Sequence, residues 1–340
     1  MGRARACGRR RQCAAAGAAA VCGCRGGGGT VNEAVTDMAD LPMQHPGAPA
    51  SAAQARARFF NSGNAFNVKL PEVPARLFSP PPEGRFGVFD CDQSEALGSG
   101  FAATTPLMLA RYVRIAPGDM PLPLDVRATG AVWYVISGSG RLDGAFDGFE
   151  FGAGDVFLLP GATGYRLAGG PEGALLWSVG NEPQLAFERA EPAPVVDASI
   201  DVVHYPAAEI ERQFATIFST GTRDETSGRA LIFSSDRQAA ARNLTPTLTL
   251  SFNTLSPGTW QRSHRHNSAA VTLVVQGEGC HSVVGDAHCP WEPWATLVTP
   301  PGAPHSHHNT GAHGARFLIV QDGGLHYHAR TMGFAFLEAA

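Results

Sequence analysis

The sequence predicts an all-β chain with minor helices, in which one β unit occurs twice. Forty glycines and 25 prolines against only 16% charged residues suit short strands joined by tight turns. From about residue 105 the apolar residues alternate between turn residues, as half-buried strands require. Landmarks then recur. Gly118 and Gly258 stand 140 residues apart, as do Pro160 and Pro300, and Gly138-Ser-Gly140 precedes Gly277-Glu-Gly279 by 139. Each unit is about 85–90 residues long, and the chain has length for two such cores.

Taken in order, residues 1–30 differ from the rest. They hold six arginines, no acid, four of the seven cysteines (Cys7, Cys13, Cys22, Cys24) and the run Gly26 to Gly29. An Arg-rich, acid-poor leader suits a targeting peptide, but its apolar stretch is mostly Ala. A glycine run just before Val31 also reads as a translated ribosome-binding site with Val31 as the start. On that reading residues 1–30 are a non-native, disordered leader. Residues 31–100 read as an arm with a short helix within 51–67, around Phe59 and Phe60. The first β unit, 101–182, has expected strands at 107–115, 132–137, 155–159 and 174–179. Residues 183–222 combine a Pro-rich linker with a helix at 207–218, where Ile210, Phe214, Ile217 and Phe218 share a face. In the second unit, 223–340, strands are expected at 247–255, 271–276, 280–284, 296–299 and 316–321.

Without the leader's six arginines, 20 basic residues face 30 acidic ones, a net of −10. Such a body lacks the electrostatic footprint of a nucleic-acid binder, and no stretch is long and apolar enough for a membrane span. Cys91, Cys280 and Cys289 have no framework spacing. They read as reduced thiols of a cytoplasmic protein, with Cys280 and Cys289 as small core residues.

Ten of the twelve histidines lie at or after His264. Five stand in the strings Gly258-x5-His264-x-His266 and Pro300-x-Gly302-x2-His305-x-His307-His308-Asn309. Neutral imidazole is the commonest metal ligand at physiological pH. Residues two apart on a strand share a face, so His264 and His266 point together. His305 follows a turn whose path Pro300 and Gly302 set. Three imidazoles leave about three positions open on a six-coordinate ion, the logic of the facial triad of Fe(II) oxygenases. Trp260 and Arg262 share the parity of these histidines. On a regular strand Arg262 would meet a substrate carboxylate and Trp260 would wall an aromatic ring, while Arg265 would point outward. His281 and His288 read as exposed turn residues. His308, His313, His326 and His328 read as loop residues that either orient a ligand through its other nitrogen or are solvated.

These strings resemble the cupin superfamily, whose motifs read G-x5-H-x-H-x3,4-E-x6-G and G-x5-P-x-G-x2-H-x3-N. Gly258, His264, His266, Gly277, Pro300, Gly302, His305 and Asn309 fall in register. The resemblance is strong over residues 247–325 and rests on spacing and turn residues over 107–180. It implies tandem double-stranded β-helix, or jelly-roll, barrels. The departures are informative. The motif's Glu is Ala270, the opening Gly of the second motif is Trp294, and the first unit has Leu124, Val126 and Gly164 or Tyr165 at the ligand positions. The first barrel is therefore expected to be structural and metal-free. Three neutral donors leave the ion its full charge, which favours an anionic chelating substrate.

Among cupins the ligand set is most similar to the gentisate 1,2-dioxygenase group, two-barrel proteins with three histidines on Fe(II). That resemblance implies His264, His266 and His305 as metal ligands and His307 as the residue that meets the substrate. It implies Fe(2+), although three histidines also accept Mn(2+), Ni(2+) or Zn(2+). The implied activity is that of a non-haem iron, extradiol-type dioxygenase. It would cleave the ring of a hydroxylated aromatic carboxylic acid of the gentisate, salicylate or hydroxynaphthoate class, with O2 as co-substrate and a homo-oligomer, dimer or tetramer, as the assembly. Arg262 is the expected second catalytic residue, and Trp260, Thr272 and Asn309 the expected substrate pocket. Val271, Leu273, Val274, Val275 and part of Phe317 would supply a dry, mostly apolar wall. The group carries its metal in the first barrel and has an Arg where this chain has Thr272. Two other readings fit the same ligands: a metal-dependent lyase or isomerase acting on a small carboxylate, and a non-enzymatic binding or sensor protein.

Overall fold

A computed structural model describes residues 35–66, 68–118, 121–221 and 228–338. The leader at 1–30, expected to be disordered, lies outside the described residues. The chain divides into two compact units, Met1–Lys69 and Leu70–Ala340. In the first, Ser51 caps a single turn of helix, Ala52–Ala55, by accepting from the Gln54 amide. The helix expected around Phe59 and Phe60 stops short of them, because Phe59 is extended and bridges Gln44.

The second unit holds three antiparallel sheets. In the N-terminal barrel the strands Gly87–Asp90, Leu109–Ile115, Val156–Gly180, Leu122–Gly144 and Phe146–Gly152 lie side by side in that order. The short strands expected at 132–137, 155–159 and 174–179 are parts of two ribbons of 23 and 25 residues. Each ribbon serves both walls of the barrel: Ala131 pairs with Leu159 on one side and with Gly180 on the other. The interior is hydrocarbon and aromatic, with Trp133 stacked on Phe157 at 5.8 Å. Leu124, Val126 and Tyr165 belong to this core, so apolar side chains occupy the places where a metal-binding barrel would carry its ligands.

The C-terminal barrel is a sandwich of two sheets. One has the order Leu77–Phe78, Thr296–Thr299, Ala270–Gln276, Ala315–Gln321, Thr249–Leu255, Arg229–Phe233. The other has the order Ala287–Pro290, Cys280–Val284, His305–Asn309, Trp260–His266, Phe334–Phe336. Strand Ala270–Gln276 reads as a near-continuous apolar run because both of its faces are covered. Val271 and Leu273 pack outward into a core shared with Tyr112, Tyr134 and Trp177 of the other barrel. This corrects the expectation that they wall the cavity, since period two sends Ala270 and Thr272 inward instead. Helix Ala207–Phe218 forms at the expected place and buries Ile210 and Phe214, the latter edge-on to Phe252 at 5.2 Å. Helices Glu182–Glu188 and Gly323–Ala329 were not foreseen. Among the described residues no helix is long and apolar enough to cross a membrane.

Thr296 ties the barrels together. Its fully buried hydroxyl accepts from Trp177 Nε1 at 2.9 Å and lies 2.7 Å from the Tyr112 hydroxyl. Tyr112 in turn donates to the Trp294 carbonyl at 2.6 Å. Thr296→Val keeps the shape and strands the indole N–H. It is expected to cost about 1–3 kcal/mol, read as a lower urea midpoint with an unchanged slope.

Candidate metal centre

His264 and His266 sit on one inward face of Trp260–His266, and His305 opens the neighbouring strand as the register partner of His264. Gly302 makes that placement possible. It has φ +76°, a left-handed conformation that suits glycine, and donates its N–H to the His266 carbonyl at 2.7 Å. The turn is thereby tied to the second histidine two residues after Pro300. The three imidazoles are 4–6% exposed, and one ring nitrogen of each lies within 4.8 Å of those of the other two.

The donor chemistry fits a cation. Nδ1 of His264, His266 and His305 lies 2.7, 2.8 and 2.9 Å from the carbonyls of Arg262, Ser268 and Ala303. A carbonyl only accepts, so each Nδ1 carries the proton and each Nε2 keeps its lone pair. Burial holds all three rings below the ordinary imidazole range and, with His264 beside it, pushes His305 down to about 3. Three neutral, preoriented lone pairs are what a divalent ion requires.

These nitrogens face a cavity of about 270 Å3 between the two sheets. That lies just below the roughly 300–1,000 Å3 of drug-sized pockets, a size for a small ligand. Its wall is more polar than the sequence suggested, with Asn253, Gln261, Thr272, His307 and Gln321 among the lining residues. A wider depression of about 790 Å3 near residues 70–75 has Glu72 as its only ionisable lining residue.

His307 lines the cavity and is 2% exposed. Its Nδ1 lies 2.7 Å from Ser282 Oγ, which already accepts from Trp291 Nε1 at 2.8 Å. The buried serine proton has His307 as its only acceptor among the described residues, so Nδ1 accepts and the ring proton sits on Nε2. His307 is thus the opposite tautomer of the three ligands and presents a donor. Burial keeps it neutral, well below the usual imidazole range.

Thr272 lines the cavity, whereas Arg262, Trp260 and Asn309 do not. The strand is not regular. Gln261 pairs with His307 but His264 with His305, so one extra residue bulges between them and parity reverses. Gln261 therefore turns inward. Arg262 lies over the Phe336 ring at 4.0 Å, and Trp260 is 58% exposed. Asn309 is buried and structural: it donates to the Leu255 and His313 carbonyls and accepts from Gly311 N. His281 and His288 are strand residues rather than turn residues, and His281 stacks between His288 and His308 at 4.3 and 4.8 Å. Cys91, Cys280 and Cys289 are buried free thiols. Phe334, on a three-residue strand after the last helix, packs 5.2 Å from His264 and closes one side of the cavity. No periodicity in so short a segment announces it. Gln321, two positions from the inward Ile319, was within reach of simple alternation.

Residues 251–321 match the family described as "Cupin domain". The fold agrees with that of salicylate 1,2-dioxygenase from Pseudaminobacter salicylatoxidans, at a TM-score of 0.65 over 79% of this chain and 90% of that one, with 15% identity. Its adduct with gentisate gives 0.61 over 74% and 77%, at 14% identity. The chain has the tandem-cupin fold.

Two curated relatives match this chain over short stretches. A gentisate 1,2-dioxygenase from Ralstonia sp is 37% identical over 79 residues, 23% of this chain. A 1-hydroxy-2-naphthoate 1,2-dioxygenase from Nocardioides sp. (strain KP7) is 33% identical over 95 residues, 28% of this chain. The matched stretches span only 22% and 24% of those relatives. Trp294 explains one departure from the cupin motif. It has φ +63° where the motif has Gly, and the first barrel keeps Gly154, φ +89°, at the equivalent place 140 residues earlier. The strained Trp is retained where its ring packs 6.3 Å from Tyr134, in the core between the two cupin barrels.

Asp322, next to Gln321, is 5% exposed and its Oδ1 accepts from Ala269 N at 2.9 Å. Burial raises its carboxyl from 3.8 to about 7. The folded pKa lies above the unfolded one, so its contribution to stability is complete below pH 3.8 and lost as pH rises through about 7. Asp322→Asn keeps the acceptor and removes the charge. The variant is expected to match the parent at low pH and to exceed it in urea midpoint above pH 7.

Proposed function

We propose that this cupin is a non-haem Fe(II) dioxygenase that cleaves the ring of a hydroxylated aromatic carboxylic acid. The single observation behind this reading is the set of three buried imidazoles whose Nε2 lone pairs face one small cavity without a carboxylate ligand, that of His266 being met only by the neutral Gln321 amide at 3.2 Å. The dioxygenase relatives and the salicylate 1,2-dioxygenase fold support the reaction class. His264, His266 and His305 would hold the ion. Bound there, Fe(II) supplies Lewis acidity towards oxygen donors and one-electron chemistry towards O2.

The chain's own residues do the rest. Ala270, in place of an acidic ligand, leaves the site's charge to be balanced by substrate. His307 presents its Nε2–H to an oxygen of the substrate, held in that tautomer by Ser282 and Trp291. Phe334 and Ile319 keep bulk water from one end of the cavity, which strengthens each polar contact inside. Both atoms of O2 enter the product, and the electrons come from the ring carbon–carbon bond that breaks, so no organic cofactor is involved.

The protein, loaded anaerobically with Fe(II), is mixed with gentisate, salicylate or 1-hydroxy-2-naphthoate before air is admitted. Oxygen uptake with matching loss of aromatic absorbance is the expected result. Turnover of a small carboxylate without O2 would move the protein to Lewis-acid lyase or isomerase chemistry instead.

A further inference from the structure

The cavity contains no Arg and no Lys among the described residues that line it. Its polar wall is neutral. Two of its atoms, Gln261 Oε1 and Thr272 Oγ1, are buried with no hydrogen-bond partner, and Thr272 is only 1% exposed. Buried polar atoms are nearly always paired, so two orphans in one cavity point to a ligand that pairs them. They come from different sheets. Gln261 stands on the strand of the metal-site histidines, opposite His307, and Thr272 lies between Leu297 and Ile319 on the facing sheet.

We propose that Gln261 and Thr272 are the specificity-determining residues of this site, and that they set a limit on substrate charge. The ring acid brings all its negative charge to the three-histidine end. The substituent that reaches Gln261 and Thr272 is neutral and hydrogen-bonding, and a second acid group there is refused. This rests on the ring-cleavage reading above. Two anionic oxygens balance a divalent ion held by three neutral imidazoles. A further anion would be buried with no countercharge, which is costly in a desolvated site. Gln261 Oε1 can only accept and Thr272 Oγ1 can do either, so a neutral hydroxyl on the ring satisfies both kinds of atom. Turning the amide over offers an N–H but still no charge.

The test uses 2-hydroxybenzoates that carry hydrogen, methyl, hydroxyl or sulfonate at ring position 4 or 5. Binding to the Zn(II)-loaded, redox-inert protein is measured by calorimetry, and O2 uptake by the Fe(II)-loaded protein is measured separately. At the better of the two positions, the hydroxyl compound is expected to bind at least tenfold tighter than the methyl one, and the sulfonate at least 100-fold weaker. Thr272→Val and Gln261→Leu should each erase the advantage of the hydroxyl compound over the methyl one. Thr272→Arg should raise sulfonate affinity above that of the hydroxyl compound. Sulfonate binding equal to hydroxyl binding in the parent protein would overturn the proposal, as would a preference that survives both neutral variants. The ranking is read without oxygen. An intact ranking without turnover removes only the ring-cleavage reading, and turnover without the ranking removes only this one.

Discussion

His264→Ala is expected to abolish metal retention while leaving the barrel folded. His264 pairs with both neighbouring histidines, its ring 4.2 Å from that of His305 and 6.0 Å from that of His266. Removing it leaves two donors, too few to hold a divalent ion against water. Loss of a mere outer partner costs about 10–100-fold in metal affinity, so loss of a ligand should exceed about 100-fold. The fold should survive because the cores that hold the sheets together lie elsewhere, around Trp133 and between the barrels. Two readouts separate the effects. Metal content after dialysis should fall to background. The rise in Tm that added ion gives the parent by mass action should vanish, with the apo Tm nearly unchanged. If the variant keeps stoichiometric metal, the assignment of the centre is wrong.

Ala270→Glu should have the opposite effect on the ion and a severe one on substrate. Ala270 is 3% exposed and lines the cavity, paired with Thr299 and Gln321. A carboxylate here would lower the net charge of a divalent site from +2 to +1. Unit charges 4 Å apart at an effective dielectric of 20 interact by roughly 4 kcal/mol. Losing one such interaction is on the order of a 1,000-fold drop in affinity for a chelating acid. The ion-free variant should be destabilised by its buried acid and recover when metal is added. Calorimetry with salicylate on Zn(II)-loaded parent and variant checks the first outcome, and thermal melts with and without metal the second. Equal affinity for the acid would show that site charge does not govern binding.

The sequence disclosed more of this site than of the fold around it. The convergence of His264, His266 and His305 was readable because metal ligation demands a residue type at a spacing, and both survive in two short strings. The cavity was misread where backbone geometry departed from period two. Parity assigned Arg262 and Trp260 inward, and a one-residue bulge gave that place to Gln261. Val271 and Leu273 were misplaced for a different reason. A strand covered on both faces shows no alternation, so nothing local says which side holds the cavity. The long ribbons Leu122–Gly144 and Val156–Gly180 were read as fragments, since turn residues within them mark bends rather than ends. Helix Ala207–Phe218 was legible because its apolar stripe packs on one partner surface.

The bulge between Gln261 and His264 also makes the strand separable into two phases. After it stand His264 and His266, and before it Trp260 and Gln261 keep their own pairing with His308 and His307. Deleting Ser263 would remove the extra residue and restore regular pairing, with Gln261 still opposite His307 and turned into the cavity and Arg262 still turned outward. A change of length at this one point is thus absorbed outside the ladder, without altering which side chains wall the pocket.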